Sequence, residues 1–421
     1  MDGDAWEVAT RDGDTIEMAL TRPAAVADPD SLYASLRRQD PVHRSPSGDW
    51  FLVGYRHVED ILRSRHGAWI SVSPRRRVPA GRAPHLHALL GGSPIYLDAP
   101  AHTAQRQALA PHFTPAAVVV SRVPDIVTRA DQLLDAAASG PQGAVVDLLS
   151  AFAQRLTRRT MIDVLGIPVA DDAAAARWEN RVAAVALVAD PLPTALSARR
   201  VERADTAAEK ITATIAEAIT NGAVTPGTAF ESLLTWAEAT GAPVGEVAGA
   251  LALVFGAGHF TSLNLLSVAL WELLCMSPGE RTEIVVGGEG VRGPLHAFVD
   301  EVARLVSPVA TAHRTPTDGA CLDGASIPSG DPVVLVFAAA DRDPERFESP
   351  DEIRLDRRTP NLAFGRGEHH CIGVHLARAQ AAAALTRFVT RFPDAELEDK
   401  TIEWRGVGNS RRVTHVRAHL A

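Results

Sequence analysis

Ala- and Leu-rich stretches whose apolar residues recur every three or four positions run through most of this chain, and they predict helices. Pro29 to Gln39 reads as an amphipathic helix. Trp50 to Tyr55 (WFLVGY) reads as a strand leading into a helix near Val58 to Arg63, so a small sheet is expected near the N-terminus. From Ser71 to Pro94 the periodicity breaks down into Pro, Gly, Arg and His, which predicts a long irregular segment of the kind that is usually functional or mobile. Helical patterns resume from His102 to Leu274, interrupted at Gly140 to Gly143, Asp190 to Pro193 and Gly222 to Gly227.

The longest helix is expected over residues 244–276, between Pro243 and Pro278. Its stretch from Val247 to Gly258 is apolar on every side, the mark of a helix buried in a large protein. His259, Thr261 and Asn264 interrupt it too soon for a membrane span, and no segment reaches about 18 consecutive apolar residues. A helix carrying Glu301 and Arg304 follows, then a strand from Val333 to Phe337 behind the turn at Gly330 and Asp331. A meander rich in Asp, Pro and Arg comes next, and the tail from Thr401 to His419 alternates like a hairpin with Gly406 and Gly408 at its turn.

With 421 residues and 46% hydrophobic content, length alone would allow two or three domains. No Ser/Gly linker divides the chain and no repeat is evident, so a single domain over 1–421 is expected. The net charge of -9 gives no reason to expect nucleic-acid binding. Three cysteines, Cys275, Cys321 and Cys371, fit a reducing compartment. The acidic start, MDGDAWEVATRDGD, is unlike a signal peptide. A soluble, cytoplasmic, monomeric protein is the expectation.

Residues 364–373, reading FGRGEHHCIG, carry the chemistry. Two glycines let the backbone turn tightly and approach a flat cofactor, and one cysteine sits where a helix begins, its amide dipoles favouring the thiolate. The alternatives are a buried cysteine before an Ala-rich helix, or a zinc site of His370, Cys371 and His375. The stretch resembles the signature of the cytochromes P450, with Phe364, Gly365, Gly367, His369, Cys371 and Gly373 at the fixed positions and Leu376, Ala377 and Arg378 continuing it. That resemblance implies a mainly α triangular prism with small β-sheets, haem b between the long helix and the loop, and Cys371 as the metal ligand. It also implies O2 as co-substrate. No flavin or iron–sulfur extension is visible, so electrons from NAD(P)H are expected through separate partners, a ferredoxin and its reductase.

Other elements resemble the family in order along the chain. Glu301 and Arg304 share a helix face and can pair; alone they would read as a solvated ion pair, but they resemble the structural Glu-x-x-Arg element, whose third member would be Arg354 or Arg357, with the Arg346–Phe347 pair further away. His102, Arg106, Arg314 and His369 resemble the haem-propionate partners. Ala257, Gly258, Phe260 and Thr261, in AGHFTS, resemble the oxygen-side element, with Gly256 and Gly258 expected to let haem and oxygen approach the backbone. Phe260 stands where the family usually has an acid that relays protons, so proton delivery is rerouted through waters held by Thr261, Ser262 or a substrate hydroxyl, or matters less; the plainer alternative is that Phe260 faces the core away from the haem.

The expected function is oxidation of a small organic substrate by hydroxylation or epoxidation, in secondary metabolism. Phe260 raises an alternative, oxidative coupling, ring closure or desaturation without oxygen insertion; a non-catalytic haem-thiolate sensor is the rival from another class. Substrate contacts are expected from Ser71 to Pro94, Val188 to Ala195, Pro308 to Ala312 and near Val407. Arg75, Arg76 and Arg77 could bind an acidic or carrier-bound substrate, though a solvated run is the plainer reading. Arg357, Arg358, Arg366 and Arg378 are expected to form a basic docking patch for the electron donor.

Overall fold

The computed structural model describes residues 29–420 except 47, 65–66, 74–77, 79–80, 142, 190–196, 287–292, 407–408 and 410. The acidic N-terminus, Arg75, Arg76, Arg77, most of the turn from Val188 to Ala195, Val407 and Gly408 lie outside those residues.

The chain opens with α1 (Asp30–Gln39), β1 (Val42–Arg44), β2 (Trp50–Leu52), α2 (Tyr55–Leu62) and β3 (Trp69–Ser71). Strand β2 stops at Leu52, short of the expected Tyr55. Gly54 adopts an extended cap, and the Tyr55 amide donates to Asp343 Oδ2 at 2.9 Å, so α2 starts there. A second correction falls in the segment expected to be irregular, which contains α3 (Pro84–Gly91). Pro84 sits in its first turn, where no amide is needed, and Leu86, Leu89 and Leu90 are buried at helical spacing.

Helices α4 (Ala101–Leu109), α5 (Val123–Ala138), α6 (Gln154–Leu165), α7 (Asp172–Ala189), α8 (Ala198–Thr220) and α9 (Ala229–Thr240) follow, with β4 (Val145–Asp147) before α6. Then come α10 (Val244–Cys275), α11 (Pro278–Val286), α12 (Pro294–Val306), β5 (Thr311–Pro316), β6 (Ala320–Leu322), β7 (Ala325–Ile327), β8 (Val333–Val336) and α13 (Val374–Arg391). The tail adds β9 (Glu396–Leu397), β10 (Trp404–Arg405), β11 (Arg412–Val413) and β12 (Arg417–His419).

The largest sheet has the order β1-β2-β8-β5-β3, with β2 and β8 parallel in the register Phe51 to Val334. Alternation along its strands separates two faces. Phe51, Val53, Val334 and Val336 cover Leu32, Tyr33 and Leu36 of α1, while Trp50, Leu52, Val333 and Leu335 pack with Val58, Ile61 and Leu62 of α2. In the tail, β10 and β11 form the expected hairpin, but β12 leaves it to pair with β4 and β9.

Helix α10 is the centre of the helical layer and packs on α3, α6, α7, α8, α9, α12 and α13. Among the described residues it is the one helix long and apolar enough to cross a membrane by length and composition, and most of it is buried inside the protein. Its contact with α3 depends on Gly249, where an added Cβ would lie 2.1 Å from the Leu89 carbonyl oxygen. Gly249→Ala is therefore expected to force α3 outward and destabilise the fold by about 1–3 kcal/mol, as overpacking does. Gly245→Ala, with nothing within 4 Å of the new methyl, should leave denaturant unfolding unchanged or slightly more favourable to the native state.

Candidate functional site: a cysteine loop and a cluster of basic side chains

The cysteine loop is shaped by its backbone. Gly365 and Gly367 have φ of +65° and +68°, and a Cβ at Gly367 would meet the Leu62 carbonyl oxygen of α2 at 2.0 Å. A tight turn over Gly367–His369 follows, the Cys371 amide donates to the Phe364 carbonyl at 2.8 Å, and α13 begins three residues after the cysteine. Burial pushes the Cys371 thiol up, against the Gly373 amide and the positive Arg106 and Arg378, which favour the thiolate. A metal ion at the sulfur deprotonates a coordinating thiol outright.

The expected propionate partners converge. His102 and His369 stack with ring centroids 4.1 Å apart, and Arg106 Nη2 donates to the His370 carbonyl at 2.8 Å. Arg314 reaches the same place from β5, whose neighbour β3 pairs Ser71 with Arg314 and sets the Ser71 hydroxyl 3.2 Å from His369 Nε2. Burial lowers the pKa of His102, Arg106 and Arg314, and burial with the positive Arg314, His102 and Arg106 takes His369 down to about 3. None of the four forms an ion pair among the described residues, though Glu368 lies beside the two histidines. Two guanidiniums and two imidazoles gathered near the half-buried Cys371 thiol are the complement of a flat, thiolate-ligated group carrying two carboxylates, so the residues present fit haem. The zinc alternative fails on geometry, because among the described residues the donors that converge are His102, Glu368 and His369, and Cys371 is not one of them.

Glu301 and Arg304 are not a solvated pair. Both are buried, and Arg304 Nε and Nη2 donate to the two Glu301 oxygens at 2.9 Å each. Arg357 is the third member, its Nε 2.8 Å from Glu301 Oε2. Arg354 gives that oxygen its backbone amide while its side chain turns outward to Glu348 and Asp356, and Arg346 stacks on Tyr55. Phe347 lies beneath the guanidiniums of Arg304 and Arg357. Burial would raise Glu301, but the bonds from Arg304, Arg354 and Arg357 outweigh it and hold the carboxyl below its usual range. The spare guanidinium donors bind the Asp341, Glu348, Ser349, Pro350 and Glu352 carbonyls and so fix the meander.

On α10, Leu253, Ala257 and Thr261 form a stripe at four-residue spacing. Ala257 is exposed although Phe255, Gly256 and His259 around it are buried, and the Thr261 hydroxyl donates to the Ala257 carbonyl. Phe260 lies off that stripe, near Gly256, and its ring is 4.9 Å from that of His259. The expectation for Gly256 and Gly258 is corrected: their missing side chains make room for Val182 of α7 and Met161 of α6, at 3.0 Å and 2.5 Å from a hypothetical Cβ. These glycines serve helix packing. Pro308 to Ala312 is mostly half-buried, and the Asn409 side chain accepts from the Thr311 amide at 2.8 Å and donates to its carbonyl at 3.1 Å. The expected basic patch is thinner than the sequence implied, since Arg357 is committed to Glu301 and Arg378 is bidentate to Asp300 at 2.7 and 3.0 Å.

Three features escaped the sequence reading. His259 pairs with Glu179 across 80 positions of sequence (259 − 179), Asn409 with Thr311 across 98, and Asp341 is a buried carboxyl that accepts the Leu362 amide at 2.6 Å. The tail turn was marked by Gly406 and Gly408, not by Asn409.

A half-buried cysteine on a glycine loop, a cluster of basic side chains for two carboxylates and a mainly α frame around one central helix mark the haem-thiolate class. Comparison with known proteins agrees. The family model for cytochrome P450 matches residues 294–404. Cytochrome P450 monooxygenase PikC of Streptomyces venezuelae is 31% identical over 384 residues, covering 88% of this chain and 86% of that protein. Cytochrome P450 107B1 of Saccharopolyspora erythraea is 28% identical, covering 93% and 95%. Among solved structures, P450BioI in complex with an acyl carrier protein superposes with a TM-score of 0.83 at 24% identity, covering 94% and 99%, and CxnD with 0.79 at 25%, covering 94% and 95%. The chain belongs to the cytochrome P450 family, whose members use haem-thiolate, O2 and redox partners on small-molecule substrates.

Removing one partner of the buried Glu301 arrangement should be severe: Arg357→Ala is expected to lower stability by about 3–5 kcal/mol, measured by denaturant unfolding. Asp341 supplies a pH test. Its buried carboxyl is pushed up to about 7, above its unfolded value, so the protein binds a proton more tightly folded than unfolded, and stability falls as pH rises from the normal carboxylate range through neutrality. Asp341→Asn should flatten that fall and melt higher than the parent at pH 8.

Proposed function

We propose that this chain is a monooxygenase that hydroxylates or epoxidises a small organic substrate, with Cys371 as the residue that would hold the haem iron, His102, Arg106, Arg314 and His369 as the partners of its propionates, and Phe364, Gly365 and Gly373 shaping the ligand loop. Bound haem supplies the oxygen-activating chemistry. The residues of the chain do the rest. The observation that carries the reading is the open stripe of α10, where the Thr261 hydroxyl lies against the Ala257 carbonyl and the ring of Phe260 stays off it. A threonine hydroxyl held there can orient water and pass a proton without an acid at position 260. Pro308, Val309 and Ala310, half-buried and free of charge, are proposed to face an apolar substrate.

The enzyme is further proposed to be a single cytoplasmic domain that receives electrons from a ferredoxin and its reductase, with a role in secondary metabolism, as its likeness to PikC and to P450 107B1 suggests. Phe260 favours a second reading, oxidative bond formation without oxygen insertion; CxnD, 25% identical, is described as forming a C–S bond.

A spin-state titration against a compound library, followed by product mass analysis under labelled oxygen, separates the two. Label in the product supports oxygenation, whereas loss of two hydrogens without label supports coupling. Phe260→Asp tests the role of that position: it is expected to raise the share of reducing equivalents that reach product, and an unchanged rate, coupling and product would remove Phe260 from the argument.

A further inference from the structure

The oxygen-side turn of α10 is anchored from behind by a buried polar network that none of the roles above uses. His259 is 0% exposed. Its Nδ1 lies 3.0 Å from Thr157 Oγ1 on α6, and its Nε2 approaches Glu179 Oε1 on α7 at 3.2 Å, an ion-pair approach off the ideal N–H direction. Glu179 also accepts from Gln154 Nε2 at 2.6 Å and from Arg158 Nη1 at 3.0 Å, and Arg158 continues outward to Asp172 at 2.9 Å. Arg158 thus joins the buried Glu179 to the exposed Asp172.

The Thr157 hydroxyl donates to the Ala153 carbonyl at 2.9 Å, so toward His259 its oxygen accepts from Nδ1. The other ring nitrogen faces the Glu179 carboxylate. Burial would raise Glu179, but the interactions with His259, Gln154 and Arg158 outweigh it and hold the carboxyl at about 2. The ring is held from both sides, by a hydroxyl on α6 and a carboxylate on α7.

Resting on the monooxygenase reading, we propose that His259, clamped between Thr157 and Glu179, is a positioning residue that holds the Ala257–Thr261 turn so that the Thr261 hydroxyl stays on the Ala257 carbonyl. Residue 259 lies on the opposite side of the helix from residue 261, so it acts through the backbone and touches no reacting atom. The clamp also explains how this chain does without an acid at 260. Phe260 packs against His259 and takes no part in the polar network, and the polar contacts that order this turn start one residue earlier and reach α6 and α7.

The test uses the haem-loaded enzyme with its substrate and electron donors, and compares parent, His259→Phe, His259→Gln, Glu179→Gln, Thr261→Ala and the double variant His259→Phe/Thr261→Ala. The readouts are the share of reducing equivalents released as hydrogen peroxide, KM against kcat, the ferrous carbon monoxide spectrum and the unfolding midpoint. His259→Phe and Glu179→Gln are expected to raise the peroxide share several-fold at unchanged KM, His259→Gln to restore most of the coupling because an amide can still donate to Glu179, and the double variant to be no more uncoupled than Thr261→Ala alone. A lowered midpoint with an unchanged peroxide share, or additive uncoupling in the double variant, overturns the proposal. If His259→Phe does not fold, His259→Gln and Glu179→Gln decide it by the same readouts. A parent enzyme without a thiolate carbon monoxide band contradicts the monooxygenase reading itself, and so is distinguishable from failure of the clamp.

Discussion

The Glu301 carboxylate is the interaction on which the haem side of the molecule depends. A buried carboxylate must have all its lone pairs satisfied or it destabilises the fold by several kcal/mol. Glu301 meets that demand with two guanidiniums and one backbone amide, each from a different place: Arg304 one turn along α12, Arg357 and the Arg354 amide from the meander. The arginines in turn must satisfy their own donors, and they do so on the carbonyls of residues 341, 348, 349, 350 and 352. Desolvating one charge thereby fixes a stretch of chain that has no regular secondary structure of its own. Asp341 carries the constraint forward, since its backbone carbonyl takes Arg304 and its carboxyl takes the Leu362 amide at the start of the cysteine loop.

With that base fixed, the loop needs only local rules. Positive φ at Gly365 and Gly367, and the contact of Gly367 with α2, set the turn that brings the Cys371 amide to Phe364. Burial opposes a free thiolate at this sulfur, and the neighbouring arginines and the Gly373 amide offset only part of that penalty. The site is built for a sulfur whose charge is shared with a metal. Across the fold, α10 supplies both the apolar bulk of the core and the one stripe that opens to space, and the clamp at His259 joins these two roles on one helix.

What the sequence revealed was what lies close together along it. The loop from Phe364 to Gly373, the i, i+3 pair of Glu301 and Arg304, and the limits of α10 between Pro243 and Pro278 were legible because spacing alone carries them. Arg357 was not separable from Arg354 and Arg346, because three nearby arginines differ only in where the meander turns each side chain. Gly256 and Gly258 misled, since a glycine beside a cofactor motif and a glycine at a helix crossing look alike in sequence. The buried partner of His259 lies on another helix, and no local pattern announces it. Helix α3 was hidden because Pro and His residues masked three leucines at helical spacing.

The central claim is that Cys371 ligates haem iron as a thiolate, and the most direct measurement is the absorption spectrum of the reduced, carbon monoxide-bound protein. The account expects the red-shifted Soret band of thiolate ligation in the parent and its loss in Cys371→Ser with the fold otherwise intact. A parent protein without a Soret band, or a red-shifted band that survives Cys371→Ser, would contradict it.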